Sequence, residues 1–237
     1  MTRRRFIADE VSNNRAVLAG DHADHLIRVL RARIGQEFDI AAGAAVRRGR
    51  IVTIEGNRVE FELGEEVPAN AAANLTLLLA IFKFDRMEWA IEKCTELGVS
   101  RIIPVIARRT DAHLAAAATK RAERWRRIAL QAAEQSRRAD PPKIAEPAKL
   151  KDATRLTSAL RIVLSESEQQ TFLRDVVSSS ETASDTILAI GPEGGWADDE
   201  LQLFKDAGWI SASLGSTILR AETAAIAATA ITIAEIG

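Results

Sequence analysis

From Leu75 to Phe82 the chain reads Leu-Thr-Leu-Leu-Leu-Ala-Ile-Phe, with no charge and no polar alternation. A strand with one wet face alternates apolar and polar residues, so a run of this kind is a strand covered on both faces, as in a parallel sheet. From Asp85 to Leu97 the apolar positions Met87, Ala90, Ile91, Cys94 and Leu97 fall at helical spacing, and Gly98 can close the helix in a left-handed conformation. Val99 to Ile106 supplies another apolar strand, which completes a βαβ unit. The same alternation recurs further on. Strands are expected at 161–164, 187–190 and 210–214, and helices at 119–137, 171–178, 197–208 and 222–236.

Residues 1–68 have another texture. Short strands are predicted at 38–41, 50–54 and 58–63, with Ala42-Gly-Ala44 and Glu55-Gly-Asn-Arg58 as turns. One helix interrupts them over 21–35, with Asp21 as its N-cap, Leu26, Val29 and Leu30 as its buried stripe and Gly35 as its stop. Residues 64–74, Gly-Glu-Glu-Val-Pro-Ala-Asn-Ala-Ala-Ala-Asn, mix acids, proline and small residues before the apolar run begins. That composition places a domain boundary there. The expected organisation is a small β-rich domain at 1–68 followed by an α/β domain with a parallel sheet at 74–237.

At 237 residues there is room for one large or two smaller domains. No stretch approaches the roughly eighteen apolar residues of a membrane span, and Met1-Thr-Arg-Arg-Arg-Phe-Ile meets Asp9 and Glu10 without the apolar core of a secretion signal. A cytoplasmic protein without membrane association is expected. Cys94 is the single cysteine, which excludes an internal disulfide, and its place on an apolar helix face makes it core rather than nucleophile. Three scattered histidines do not make a metal site, so no metal is expected. Charge is unevenly spread. Residues 1–50 carry ten Lys or Arg against six Asp or Glu, residues 101–143 carry eleven against four, and residues 144–237 carry seven against fourteen. Basic regions of this kind attract phosphates, although the same residues also serve simply to solvate helix faces.

Two loops carry the candidate chemistry. The strand Ile187-Leu-Ala-Ile190 runs into Gly191-Pro-Glu-Gly-Gly195, and a second patterned segment follows at Leu214-Gly-Ser-Thr-Ile-Leu-Arg-Ala-Glu-Thr-Ala224. Ligands of open α/β sheets settle beyond the carboxyl ends of the strands, where glycine lets the main chain approach them. The dinucleotide fingerprint, the P-loop and the Gly-x-Ser-x-Gly elbow are all missing, so phosphate-cradling and covalent serine chemistry are not indicated. Spacing alone leaves the ligand open.

Four blocks carry a resemblance: His25-Leu-Ile-Arg-Val-Leu-Arg31; Glu92-Lys-Cys-Thr-Glu-Leu-Gly-Val99; Gln131-Ala-Ala-Glu-Gln-Ser-Arg-Arg138 with Pro142; and Ile190-Gly-Pro-Glu-Gly-Gly195 with Leu214 to Ala224. Together they resemble the RsmE family, which uses S-adenosylmethionine to methylate N3 of a uridine in small-subunit ribosomal RNA. The resemblance implies an N-terminal PUA-like β-barrel that binds RNA and a C-terminal SPOUT domain with a deep trefoil knot, working as a homodimer. It implies a cofactor pocket of Leu164, Ser165, Gly191, Pro192, Glu193, Gly194, Gly195, Leu214, Gly215, Ile218, Leu219, Arg220, Thr223 and Ala224. Departures from the family pattern occur at Ala42-Gly-Ala-Ala-Val-Arg-Arg48 and at Ala107-Arg-Arg-Thr110.

An activated methyl donor needs positioning and the removal of one proton rather than a metal or a covalent nucleophile. Arg220 is the expected cation for the uridinate that forms, and Glu193 the expected catalytic carboxylate, with Glu222 as its rival. RNA contacts are expected from Arg3, Arg5, His25, Arg28, Arg31, Arg137 and Arg138, with ribosomal RNA in the small subunit as partner. Two other readings stay open: another SPOUT enzyme, such as a ribose methyltransferase acting on transfer RNA, and a non-catalytic RNA-binding assembly factor.

Overall fold

The computed structural model of the chain describes residues 4–43, 45–68, 73–181, 183 and 185–236. Arg3, Ala44 of the first glycine turn and residues 69–72 of the linker lie outside the described residues. The chain forms two compact units, Met1–Ala71 with Ala133–Pro141, and Ala72–Ala132 with Pro142–Gly237.

The first unit is a six-stranded sheet built from β1 (Arg5–Ile7), β2 (Glu10–Ser12), β3 (Arg15–Ala19), β4 (Glu37–Ala42), β5 (Ala45–Glu55) and β6 (Arg58–Val67). Its strand order is β1-β4-β5-β6-β3-β2, with β1 parallel to β4 and every other pair antiparallel. The three strands expected from alternation are present as β4, β5 and β6. Those missed are short, and β2 has all three residues exposed, so no alternation marks it. Phe38 packs edge-to-face on Phe6 and on Phe61, with ring centroids 5.5 and 6.4 Å away, at the centre of this unit's core.

The helix expected over 21–35 is shorter and differently wound. An α-helical turn, α1 (Gly20–Asp24), passes into a π-helical turn at His25–Val29, and Arg31 then takes a left-handed φ of 51°. Widening the turn to i→i+5 bonding, seen in Leu30 N–H donating to His25 O at 3.1 Å, breaks the i, i+3, i+4 alignment on which the predicted stripe rested. Leu26 is fully buried while Val29 is 65% exposed, so the expectation for Val29 was wrong. Asp21 is likewise not the cap. It lies inside the helix, and Ala19 holds the N-cap position.

The second unit carries β7 (Asn74–Ala80), α2 (Phe84–Leu97), β8 (Arg101–Ile106), α3 (Ala112–Gln135, whose last three residues belong to the first unit), β9 (Lys143–Ile144), β10 (Ala148–Lys149), α4 (Leu150–Ala153), β11 (Leu160–Leu164), α5 (Leu173–Ser178), β12 (Asp185–Ile190), α6 (Asp198–Asp206), β13 (Ile210–Ala212) and α7 (Ala221–Ile236). All its strand pairs are parallel, in the order β10-β8-β7-β12-β11-β13 with β9 also on β8. The apolar run is buried on both faces, as its composition requires. Leu75, Leu77 and Leu79 face a core shared with α2, α3 and α7, and Leu78 and Ala80 face one that contains Trp196, Phe204 and Trp209. Truncating one such leucine to alanine removes about 2–5 kcal/mol of stability.

Helix α3 starts at Ala112 rather than near Thr119. The Asp111 carboxylate accepts from the His113 and Leu114 amides at 2.7 and 3.4 Å, a side-chain cap that holds the first turn, and the alanines after it favour the helix. The last strand ends at Ala212 instead of Leu214. Gly98 closes α2 with φ 111°, as expected. Cys94 is wholly buried against α7, and burial pushes its thiol up to about 12, which suits a packing residue and not a nucleophile.

Candidate functional site

The order of the parallel sheet decides which loops can meet. Strands β11, β12 and β13 are side by side, although β13 follows β12 in the chain and pairs on the far side of β11. Their carboxyl ends deliver Ser165 to Ser167, Gly191 to Gly195 and Ser213 to Leu219 to one place. A cleft of about 260 Å³ opens between them.

Each loop is held locally. Gly195 N–H donates to Pro192 O at 2.8 Å, which closes the glycine turn. Ser165 N–H donates to Ala212 O at 3.0 Å, tying β11 to β13, and the Ser165 and Ser167 hydroxyls are 2.8 Å apart. Ser213 Oγ accepts from Gly215 N–H at 3.2 Å and so shapes the start of the second loop. Glu168 accepts from the amides of Gln170 and Thr171, and those bonds hold its carboxyl below the usual range.

Trp196 and Arg109, which the sequence did not single out, line the cleft, and Glu200 braces it from outside the lining. Trp196 forms part of the wall, is 5% exposed, and packs edge-to-face on Phe204 with ring centroids 5.0 Å apart. A Cβ placed on Gly191 would sit 3.3 Å from Trp196 Nε1, so glycine at 191 is what lets the indole reach the wall. Arg109 is the one cation among the described lining residues, and its guanidinium donates to Gly194 O at 2.5 Å. Glu200, 6% exposed, accepts from Arg108 N–H at 2.7 Å and from Ala197 N–H at 2.9 Å, which joins the loop after β8 to the start of α6. Such side-chain bridges depend on non-neighbouring strands being brought together. No sequence periodicity signals them.

Of the residues expected to hold a cofactor, Leu164, Ser165, Gly191, Pro192, Gly194, Gly195, Leu214, Gly215, Ile218, Leu219 and Ala224 line the cleft. Glu193, Arg220 and Thr223 stand outside its lining. The Glu193 carboxylate accepts from Arg86 of α2 at 2.8 Å. Arg220 is exposed just before α7, where its carbonyl accepts from Ala224 N–H at 2.8 Å. Glu222 is buried in the first turn of that helix, with Oε1 3.8 Å from Arg86 Nε. Ile218 is 79% exposed, an uncommon position for a large apolar side chain at the rim of a cleft.

The described residues expected to meet RNA, Arg5, His25, Arg28, Arg31, Arg137 and Arg138, all belong to the first unit, because residues 133–141 belong to it. The Arg5 guanidinium donates to the Arg137 carbonyl, and the Ile7 amide donates to Glu134 Oε1 at 3.2 Å. His25, Arg28 and Arg31 are exposed on and beside the π-helical turn, with Arg28 paired to Asp24 at 3.4 Å. Arg137 takes a left-handed φ of 60°, and burial lowers the Arg138 guanidinium below its ordinary value. Among the described residues no group of His, Cys, Asp or Glu is placed to hold a metal ion, and no helix is long and apolar enough to cross a membrane.

Comparison with known proteins places this geometry. Residues 69–233 match the model of an RNA methyltransferase domain. The ribosomal RNA small subunit methyltransferase E of Rickettsia conorii is 35% identical over 224 residues, which are 92% of this chain and 89% of that protein. The enzyme of the same name from Mycobacterium bovis is 34% identical, with 90% and 84% covered. Among solved structures, the ribosomal RNA small subunit methyltransferase E of Neisseria gonorrhoeae bound to S-adenosyl methionine superimposes with a TM-score of 0.84 at 29% identity, covering 97% of this chain and 96% of that one. A putative methyltransferase of Legionella pneumophila, also in complex with S-adenosylmethionine, gives 0.87 at 28% identity and covers 99% and 98%.

Proposed function

The chain belongs to the ribosomal RNA small subunit methyltransferase E family, and from that premise we propose that it methylates N3 of one uridine in small-subunit ribosomal RNA. Membership makes it an S-adenosylmethionine-dependent ribosomal RNA methyltransferase. The base, the atom and the assembled subunit as substrate are our reading. The observation that carries it is the cleft at the ends of β11, β12 and β13, walled by Gly191 to Gly195 and Leu214 to Leu219.

The lining suits the cofactor. Main-chain groups of glycines 191, 194, 195 and 215 give polar contact without side chains in the way, Leu164, Ile190, Leu214 and Leu219 give apolar surface, and Arg109 faces the cleft as a single cation. Bound there, S-adenosylmethionine supplies an activated methyl group on a cationic sulfonium. This chain has to orient the uridine N3 against that methyl, exclude water and take one proton. Orientation of this kind contributes several kcal/mol, up to roughly 7–11 in the best intramolecular cases. Arg220, exposed beside the cleft, stabilises the negative charge on the uridine oxygens as N3 loses its proton. Glu193 receives that proton on Oε2, its Oε1 being held by Arg86.

The first unit is read as a PUA-like RNA-binding barrel. Arg3, Arg5, His25, Arg28, Arg31, Arg137 and Arg138 would carry phosphates there, and unstacking of the target base completes recognition. The second unit is read as a knotted SPOUT domain. The crossing of β13 over β11, followed by the return of α7 onto α2, α5 and β12, supports that reading. A homodimer acting in the cytoplasm completes it.

The test is incubation of the protein with methyl-labelled S-adenosylmethionine and undermethylated small ribosomal subunits, followed by nucleoside mapping. Label in 3-methyluridine is expected; label on a ribose, or none, refutes the proposal. Arg220→Ala should lower kcat by about 10²–10³-fold while cofactor affinity stays within twofold, in line with loss of one charge-stabilising donor. Unchanged turnover would remove Arg220 from the mechanism.

A further inference from the structure

We infer that Arg86 is a positioning residue that clamps the two cofactor loops to each other, an inference that rests on the cofactor reading above. Strand β7 lies next to β12 in the sheet, so the first turn of α2, which follows β7, stands beside the glycine loop that follows β12. From that turn the Arg86 guanidinium reaches two carboxylates. Nη1 donates to Glu193 Oε1 at 2.8 Å, and Nε lies 3.8 Å from Glu222 Oε1. Glu193 sits within the first cofactor loop, between Pro192 and Gly194. Glu222 is two residues beyond the second loop's Arg220, in the first turn of α7, and Ala224 of that turn lines the cleft.

The two contacts differ in kind. Arg86 and Glu193 are about one-third exposed, at 32% and 36%, where an ion pair alone contributes little. The Glu222 side chain is only 5% exposed, and its Oε2 has no hydrogen-bond partner among the described residues. A carboxyl group taken that far from water is stabilised by a nearby cation, and Arg86 is the cation the structure puts there. The guanidinium therefore holds down the start of α7 while its Nη1 holds the glycine loop. Arginine fits this work because its planar fork can serve two acceptors in a fixed geometry, whereas lysine is a point charge. Neither contact is local in sequence, since Arg86 is 107 residues from Glu193.

The experiment is isothermal titration of S-adenosylmethionine into the full-length protein, Arg86→Met, Arg86→Lys, Glu193→Gln and the Arg86→Met/Glu193→Gln double variant. Melting temperatures are recorded for each without cofactor. Arg86→Met should raise Kd by about tenfold, the ratio that ~1.4 kcal/mol represents, and Arg86→Lys should recover part of it. In the double variant the loss should be smaller than the product of the two single losses, because both remove one contact. Arg174→Met, which breaks an exposed pair with Glu235 at 3.4 Å, is the matched control and should bind as the unaltered protein does. A lower melting temperature with unchanged Kd would make Arg86 merely structural and overturn the inference, as would fully additive losses. Should Arg86→Met not fold, Glu193→Gln decides: binding as tight as that of the unaltered protein overturns the clamp. Absence of binding by the unaltered protein would instead overturn the cofactor reading together with it.

Discussion

Adding one methyl group at each of two glycines in the same loop separates a rigid wall of the cleft from a yielding one. At position 191 the new Cβ meets Trp196 Nε1 at 3.3 Å and its Cδ1 and Cε2 at 3.4 Å. That indole has no slack. It packs on Phe204, Phe204 packs on Trp209 with centroids 5.0 Å apart, and Trp209 Nε1 donates to Thr154 O at 3.0 Å. At position 194 the new Cβ meets Arg109 Cδ at 3.3 Å, but this side chain is exposed and can swing away. Overpacking a rigid wall costs about 1–3 kcal/mol, and the stiffer unfolded chain of an alanine variant returns roughly 0.4–1 kcal/mol. Gly191→Ala should therefore lose about 1–2 kcal/mol, and Gly194→Ala about nothing. At roughly 2–4 °C per kcal/mol for a domain of this size, scanning calorimetry should record a fall of about 2–8 °C for the first variant and under 2 °C for the second. Titration with S-adenosylmethionine should show the larger loss of affinity at 191 as well, since the displaced indole lines the cleft. Equal losses at both positions, in stability or in affinity, would refute the reasoning that Trp196 is the fixed element.

Glu200→Ala leaves the buried Ala197 amide and the partly buried Arg108 amide without their acceptor, which should lower stability by about 1–3 kcal/mol, measured by urea denaturation; a loss below about 0.5 kcal/mol would show that water replaces the carboxylate. Glu134 has its carboxyl raised above 4.5, first by burial, with nearby Asp9 adding to it and His22, His25 and the Ile7 amide opposing. A raised carboxyl is favoured protonated in the folded state, so its contribution is fully present below 4.5 and is lost as pH rises through the folded value. Glu134→Gln should therefore gain stability relative to the unaltered protein as pH climbs from 4.5 through the folded value, and a stability difference independent of pH would refute this.

The parallel sheet was readable from Leu75 to Phe82 because a doubly covered strand leaves its mark in every residue. Helices α2 and α3 were readable from one long apolar stripe each, whereas the four-residue α4 left no mark in the sequence. The first unit was less so. Strands of three residues such as β1 and β2 are too short for alternation to register, and their pairing is set by partners up to 34 residues away. At Val29 the periodic reading failed because the backbone leaves α geometry at His25, and no residue type in His25-Leu-Ile-Arg-Val29 announces a π-helical turn. The early start of α3 was legible in principle, since Asp111 before an alanine run is a capping signal that the shift to helical spacing at Thr119 obscured.

The loops proposed to hold the cofactor were legible as glycine patterns after strands, but their charged surroundings were not. Glycines speak through backbone geometry, which is a local property and so visible in the chain. Arg86, Arg109 and Glu200 tie the helix after β7 and the loop after β8 to the loop and helix after β12, which come near one another only because β12 inserts beside β7. Loops far apart in sequence thereby become neighbours. A site walled by main chain tolerates many side chains in its lining provided these cross-strand ties keep the loops in register. Substitutions at Arg86 and Glu200, ties that stand outside the cleft's lining, should then alter cofactor affinity more than conservative changes at exposed rim positions such as Ser216 or Thr217. A titration series over both sets that ranked the rim changes above the ties would contradict this account.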